Sequence, residues 1–285
     1  MASLPEGFFP RILFILQNYG QSFLSGIGNT MLIALVSTFV GCIIGFGVGI
    51  VDTIPTDRKE NAAKYYLIGL VKVILRAYVE IFRGTPMMIQ AAFIYYGVPY
   101  IFGINLGMMQ AALLIVSINT GAYMAETVRG GILSIDPGQT EGAMAIGMTH
   151  FQTMINVILP QALRNIMPQI GNNLIINIKD TCVLTIIGVT ELTYATRSVA
   201  GAYYTFFESF SIAMVLYFIL TFVCSRILRF IEKKMDGPEN YTLVVDESMG
   251  MANYKYGQHP HEPNPDFREY KRGEELDGVV RKGGR

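Results

Sequence analysis

The sequence predicts an all-α integral membrane protein of about five transmembrane helices, with its N-terminus outside and its C-terminus inside. Three observations carry that prediction: long runs without any charge, a body far more apolar than its tail, and a one-sided distribution of Lys and Arg. The chain has 285 residues, of which 51% are hydrophobic and 15% charged, with 22 basic and 22 acidic side chains. Such a balance excludes a disordered chain, which needs low hydrophobicity, and leaves no net basic charge for nucleic-acid binding. Residues 1–232 hold 13 of the basic and 12 of the acidic groups, and residues 233–285 hold the other 9 and 10. The chain is therefore an apolar body followed by a polar, charge-rich tail.

The elements follow in order. No charge occurs between Arg11 and Asp52, and residues 31–51 are nearly all apolar or glycine. About 20 such residues, at roughly 1.5 Å each, cross a hydrocarbon core of roughly 30 Å. The segment lacks the basic start and small-residue cleavage site of a signal peptide, so it is expected to remain as a span. Residues 1–28 before it are expected to form an extracytoplasmic or interfacial amphipathic N-terminus. Gly41, Gly45 and Gly49, four apart, would let another helix come close, although glycine is common in membrane helices anyway.

In residues 65–82 only Lys72, Arg76 and Glu80 interrupt the apolar run, along one helical face, which predicts an amphipathic helix at the membrane surface. Residues 84–125 form a second charge-free run, 42 residues long, which as one helix would be roughly twice the membrane thickness. Gly97, Pro99, Gly103, Asn105 and Gly107 place a reversal near its middle, giving spans at 86–101 and 106–128. A fourth span is expected at 165–190, with Lys179 and Asp180 inside it, and a fifth at 209–225, stopped by Arg226, Arg229, Lys233 and Lys234. With the N-terminus outside, the basic residues collect on the inner segments 52–83, 129–164 and the start of the tail. Only Arg11 and Arg197 fall outside. The body at 29–232 is thus the transmembrane domain, and 233–285 a tail whose Gly, Pro and mixed charge predict disorder inside the cell.

Chemistry concentrates in the inner loop after the third span. There Glu141, Gly142 and Ala143 are followed, three residues on, by Gly147 and, nine further, by Val157, Ile158, Leu159 and Pro160. This resembles the EAA loop of the membrane subunits of ABC importers, with Gly142 in place of the first alanine and Val157 in place of an isoleucine. Residues 78–86 (YVEIFRGTP), 87–97 (MMIQAAFIYYG), 121–139 (GAYMAETVRGGILSIDPGQ) and 178–192 (IKDTCVLTIIGVTEL) resemble segments of the permeases for polar amino acids, in the same order. The resemblance covers roughly residues 20–232. It implies a permease of the cytoplasmic (inner) membrane of a prokaryote, paired with a second permease subunit as a homo- or heterodimer, with two ABC ATPase subunits and with an extracytoplasmic solute-binding protein.

The resemblance assigns ATPase docking to Glu141, Gly142, Ala143, Gly147, Leu159 and Pro160, within 137–160. Read physically, Gly138 breaks the chain before Gln139, and Ala143, Ala145 and Gly147 make a small-residue face for a partner's groove. Glu141 is an acid suited to an N-terminal helical turn, and Pro160 ends the element. The chain has no Gly-x-x-x-x-Gly-Lys-Ser/Thr loop, so it is not expected to be an enzyme. It should bind no cofactor, with ATP and magnesium used by the partner subunits.

Polar groups inside spans mark the candidate path of the solute. Asn173, Asn177 and Asp180 share one face of the fourth span, with Thr181 beside it, and Asn119, Tyr123 and Glu126 share one face of the third, with Thr120 adjacent. Together they could line a cavity for a molecule with an ammonium and a carboxylate. For Asn173 and Asn177, interhelical hydrogen bonding serves equally well as an explanation. Glu126 and Arg129, near the inner end of their span, are expected to fix the loop or close an inner gate. Cys42, Cys182 and Cys224 are too scattered for a disulfide framework or zinc site, and His150, His259 and His261 lack neighbouring ligands. An ion-coupled secondary transporter working through Asp180 is the alternative, but the paired broken helices it predicts are not apparent. An intramembrane enzyme would need a catalytic cluster, and none stands out.

Overall fold

The computed structural model describes residues 4–54 and 62–235, and every regular element among them is a helix. In chain order these are α1 (Phe8–Thr53), α2 (Ala62–Gly84), α3 (Met87–Phe102), α4 (Met108–Leu133), α5 (Pro137–Ala145), α6 (His150–Thr153), α7 (Leu159–Asp180), α8 (Leu192–Tyr203) and α9 (Phe206–Met235). A π-helical turn, Met154–Ile158, leads into α7, and a 3₁₀ segment, Thr181–Ile187, follows it. The tail beyond 235, with His259 and His261, and part of the inner loop at 52–64 lie outside the described residues.

Four stretches are long and apolar enough to cross a bilayer: Phe8–Thr53, Met108–Leu133, His150–Ile187 and Phe206–Lys234. The first is a single helix of 46 residues, roughly 69 Å long. No break occurs at residue 28. Residues 8–28 are the N-terminal half of the same rod, because beyond Arg11 neither a charge nor a proline interrupts the apolar run. That half buries Ile15 and Phe23 against Leu192, Val199 and Ile212 of α8 and α9. Arg11 donates to Glu208 at 3.1 Å, and the hydroxyls of Tyr19 and Tyr203 meet at 2.6 Å.

The C-terminal half of α1 lies on α4, and the glycine stripe is the reason. A methyl group at Gly41 would fall 2.6 Å from the Thr120 Cβ, one at Gly45 2.8 Å from the Ala125 nitrogen, and one at Gly49 2.8 Å from the Ala125 carbonyl oxygen. Gly121 completes the contact from the α4 side, 2.7 Å from Ile44 by the same measure. Backbone therefore touches backbone, and dispersion over the whole seam holds the pair where lipid offers no hydrophobic drive.

The segment at 65–82, read from the sequence as an amphipathic helix, is helical throughout as α2. α2 is packed on α4, where the Tyr78 hydroxyl donates to the Ile118 carbonyl at 2.6 Å. Gly84, Thr85 and Pro86 then break the helix before α3 begins. The freed carbonyls are met by side-chain amides: Gln90 Nε2 donates to Phe82 O at 2.8 Å and Thr85 O at 2.9 Å, and Asn119 Nδ2 to Phe82 O at 3.2 Å. Non-helical backbone between packed helices is stable when its polar groups are satisfied in this way.

At the far end of α7 the buried carboxylate of Glu191 acts as a pin. It accepts from the Thr193 and Tyr194 amides at 2.8 and 2.7 Å, capping α8, and from the hydroxyls of Thr185 and Tyr217, both at 2.9 Å. One side chain so joins the 3₁₀ segment, α8 and α9.

The α1–α4 seam yields a paired prediction. Gly45→Leu should cost about 1–3 kcal/mol or more through overpacking, lowering the thermal midpoint of the detergent-purified protein. Gly47→Leu, whose position has no heavy atom within 4 Å, should leave that midpoint unchanged.

Candidate functional site

The break at 84–86, the middle of α4 and the C-terminal half of α7 border a cavity of about 450 Å³. Asn119, Thr120, Tyr123, Asn173, Asn177 and Asp180 all line it, with Arg83, Thr85 and Met87 from the break. Thr181 is not brought there. It is fully buried and its hydroxyl donates to Ile178 O at 2.9 Å, because the chain turns from α to 3₁₀ at this residue and the helical phase changes.

The lining residues divide by what their polar atoms already do. Asn177 donates to Thr38 at 2.8 Å and to Thr120 at 3.0 Å, tying α7 to α1 and α4. Asn119 donates to Gln90 Oε1 at 2.9 Å and so braces the break. Asn173 donates to the Gln169 carbonyl at 3.0 Å, one turn back on its own helix. Tyr123 is 42% exposed, with the Arg83 guanidinium 5.5 Å from its ring centre. Asp180 makes no hydrogen bond or ion pair among the described residues. It closes α7 at the C-terminal, negative end of the helix dipole, where a carboxylate is disfavoured and a cation is welcome. Lys179 is exposed on another side of the helix.

Reasoning from sequence missed Arg83, Thr85 and Gln90. The signal was present: Arg-Gly-Thr-Pro between two apolar pieces marks a helix break next to a charge.

Below this cavity lies a smaller one of about 260 Å³, lined by charged groups from α1, α2 and α4. Asp52 accepts from Arg76 Nε and Arg129 Nε, both at 2.9 Å, and Arg83 pairs with Glu126. Glu126 and Arg129 thus join α4 to its neighbours just before the loop that leads into α5.

That loop is built from capped pieces. Asp136 accepts from the Gly138 amide at 2.7 Å and Pro137 opens α5, so the helix starts at Pro137 rather than after a break at Gly138. Glu141 is exposed one turn in, and Gly142 is exposed beside it. Ala143 is 6% exposed and points into its own chain, so it does not share an outward face with Ala145 and Gly147. Gly147 ends the helix at φ 87°. Its amide donates to Met144 O at 2.9 Å and that of Met148 to Ala143 O at 3.1 Å, a Schellman closure that strains any residue with a Cβ.

Pro160 does not end an element. It sits in the first turn of α7, and the wide turn at Met154–Ile158 precedes it, relaxing the ladder where the proline lacks a donor. Ile158, Ala162 and Ile166 pack against Met124, Val128 and Ile132, with Leu159 beside them. Outward, Met144, Ile146 and Phe151 are 56%, 77% and 71% exposed. The loop is thus packed against α4 and α7 while presenting an apolar face.

Among the described residues no group of three His, Cys, Asp or Glu could hold a metal ion. The arrangement offers one half-buried acid, one arginine and several amide and hydroxyl groups around a cavity, which suits reversible binding of a polar solute.

Asn177→Leu should destabilise the protein by about 1–3 kcal/mol, since it strands the Thr38 and Thr120 hydroxyls. Asn173→Ala should cost far less. Thermal unfolding in detergent separates the two.

Comparison with known proteins adds to this geometry. A family model described as "Binding-protein-dependent transport system inner membrane component" matches residues 61–237. The putative glutamine transport system permease protein GlnP of Rickettsia felis is 33% identical over 228 residues, covering 80% of this chain and 95% of that protein. The glutamine transport system permease protein GlnP of Escherichia coli K12 is 35% identical over 213 residues, covering 74% and 92%. A solved amino acid ABC transporter crystallised with histidines matches with a TM-score of 0.69 at 31% identity, covering 78% of this chain and 98% of its own. An inward-facing MetNI methionine ABC transporter has the same fold, with a TM-score of 0.62 at 24% identity, covering 75% and 96%.

Proposed function

The chain belongs to the family of binding-protein-dependent transport system inner membrane components, and from that membership we infer that it is the permease subunit of an ATP-driven importer of a polar amino acid. It works in the cytoplasmic (inner) membrane. Relatives named as glutamine permeases and the amino acid ABC transporter support the solute class. They also favour ATP drive over the ion-coupled alternative. Its partners are a second permease copy or homologue, a pair of ABC ATPases using ATP and magnesium, and an extracytoplasmic binding protein.

The observation that carries the reading is the cavity with Asp180 at one side and Arg83 at another, lined by Asn119, Thr120, Tyr123, Asn173 and Asn177. A zwitterion places its ammonium near the unpaired carboxylate of Asp180 and its carboxylate near the guanidinium of Arg83. The chain crosses the membrane five times, through α1, α2 with α3, α4, α7 and α9, which keeps the N-terminus outside and the α5–α6 loop inside. ATP-driven closure of the ATPases moves the loop carrying Glu141, Gly142, Ala143 and Gly147. Leu159 and Pro160, at the start of α7, transmit the motion, and the cavity turns from one side of the membrane to the other.

Asp180→Asn should cut amino-acid uptake into proteoliposomes at least tenfold while the ATPase still co-purifies. Gly147→Leu should lose the ATPase or uncouple hydrolysis from uptake. Normal uptake by Asp180→Asn would remove Asp180 from the path.

A further inference from the structure

Arg83 is the one residue shared by the linings of the two cavities described above. Its guanidinium lies over the Tyr123 ring, whose face borders the upper cavity, and pairs with Glu126, which borders the lower one. Both side chains of the pair are partly exposed, at 40% and 48%, so each is reachable from the space it borders. The other cations of the lower cavity are engaged, since Arg76 and Arg129 hold Asp52 from two sides, and Glu80 lines the same space without an ion pair among the described residues. Arg83 is therefore the cation placed to exchange partners between the two spaces.

We propose that the Arg83–Glu126 pair is the inner gate of the solute cavity and that the solute's own carboxylate opens it, by replacing Glu126 as the partner of Arg83. The exchange is isoelectric: one carboxylate leaves the guanidinium as another arrives. The released Glu126 gives up its cation and turns toward the lower cavity, where its 48% exposure lets solvent take over as its partner. Tyr123 holds the guanidinium in place throughout by its ring face. The solute then faces an opened passage to the inner side. A solute lacking a carboxylate has no means of displacing Glu126 and does not open it. Selection for the carboxylate becomes part of the release step, in addition to whatever the cavity walls select.

The inference rests on the reading of the upper cavity as the solute site, and the test separates the two. Binding of radiolabelled L-glutamine, L-glutamate and L-arginine is measured on the detergent-purified permease–ATPase complex, with agmatine, the decarboxylated form of arginine, as competitor. In Glu126→Gln the competing carboxylate is gone, so amino-acid binding should tighten about fivefold, with agmatine unaffected. In proteoliposomes the same variant should lower KM and kcat together. Arg83→Gln should lose binding, and Arg83→Lys should recover part of it. Glu126→Asp, one methylene short of the guanidinium, should tighten binding in the same direction and serves as the milder variant. Unchanged or weaker binding in an assembled Glu126→Gln complex would overturn the gate while leaving the transport reading intact. If the wild-type complex neither binds nor takes up any of the three amino acids with ATP, both the gate and the transport reading fall.

Discussion

The close seam between α1 and α4 is the constraint on which the rest of the structure depends. Three glycines on one face of α1 bring its backbone against residues 120–128 of α4, and everything functional hangs on the other faces of α4. Asn119 and Tyr123 turn toward the cavity and Glu126 toward the charged space below it. Val128 and Ile132 turn toward the base of α7. A larger residue in the seam would push α4 outward and shift all of these at once, since packed interiors transmit such strain rather than absorb it.

Asn177 sits where this seam meets the cavity. Its amide reaches Thr38 on α1 and Thr120 on α4, and the same residue lines the cavity. The residue is glue by its hydrogen bonds and a wall of the cavity by its position. Asp180, one turn on, has no such duty, and the difference between the two is one of remaining hydrogen-bonding capacity.

Much of this was legible in the amino-acid order because membranes make polarity expensive. Charge-free runs located α4 and α9, the polar stripes on two helices converged on one cavity, and Gly41, Gly45 and Gly49 marked a true contact. What stayed hidden was local geometry that composition does not encode. Glycine and proline signal a change of direction equally well in a surface loop and in a satisfied mid-helix break, so the Gly84–Pro86 interruption could not be placed without Gln90 and Asn119. Thr181, beside the polar face on paper, is turned wholly inward where the helix type changes. Pro160 read as a stop because the widened turn before it has no sequence signature of its own. The Schellman closure at Gly147 gives a backbone reason for a glycine that the motif alone only required.

The two ends of the molecule differ in the kind of force that closes them. On one side, the Glu191 carboxylate is fully buried and its bonds reach three elements. On the other, Asp52, Arg76, Arg83, Glu126 and Arg129 form pairs whose cationic members are 40–59% exposed. Water and salt weaken the second kind of link and scarcely reach the first. Raising ionic strength should therefore loosen the pairs around Asp52 and Glu126 while leaving the Glu191 junction intact.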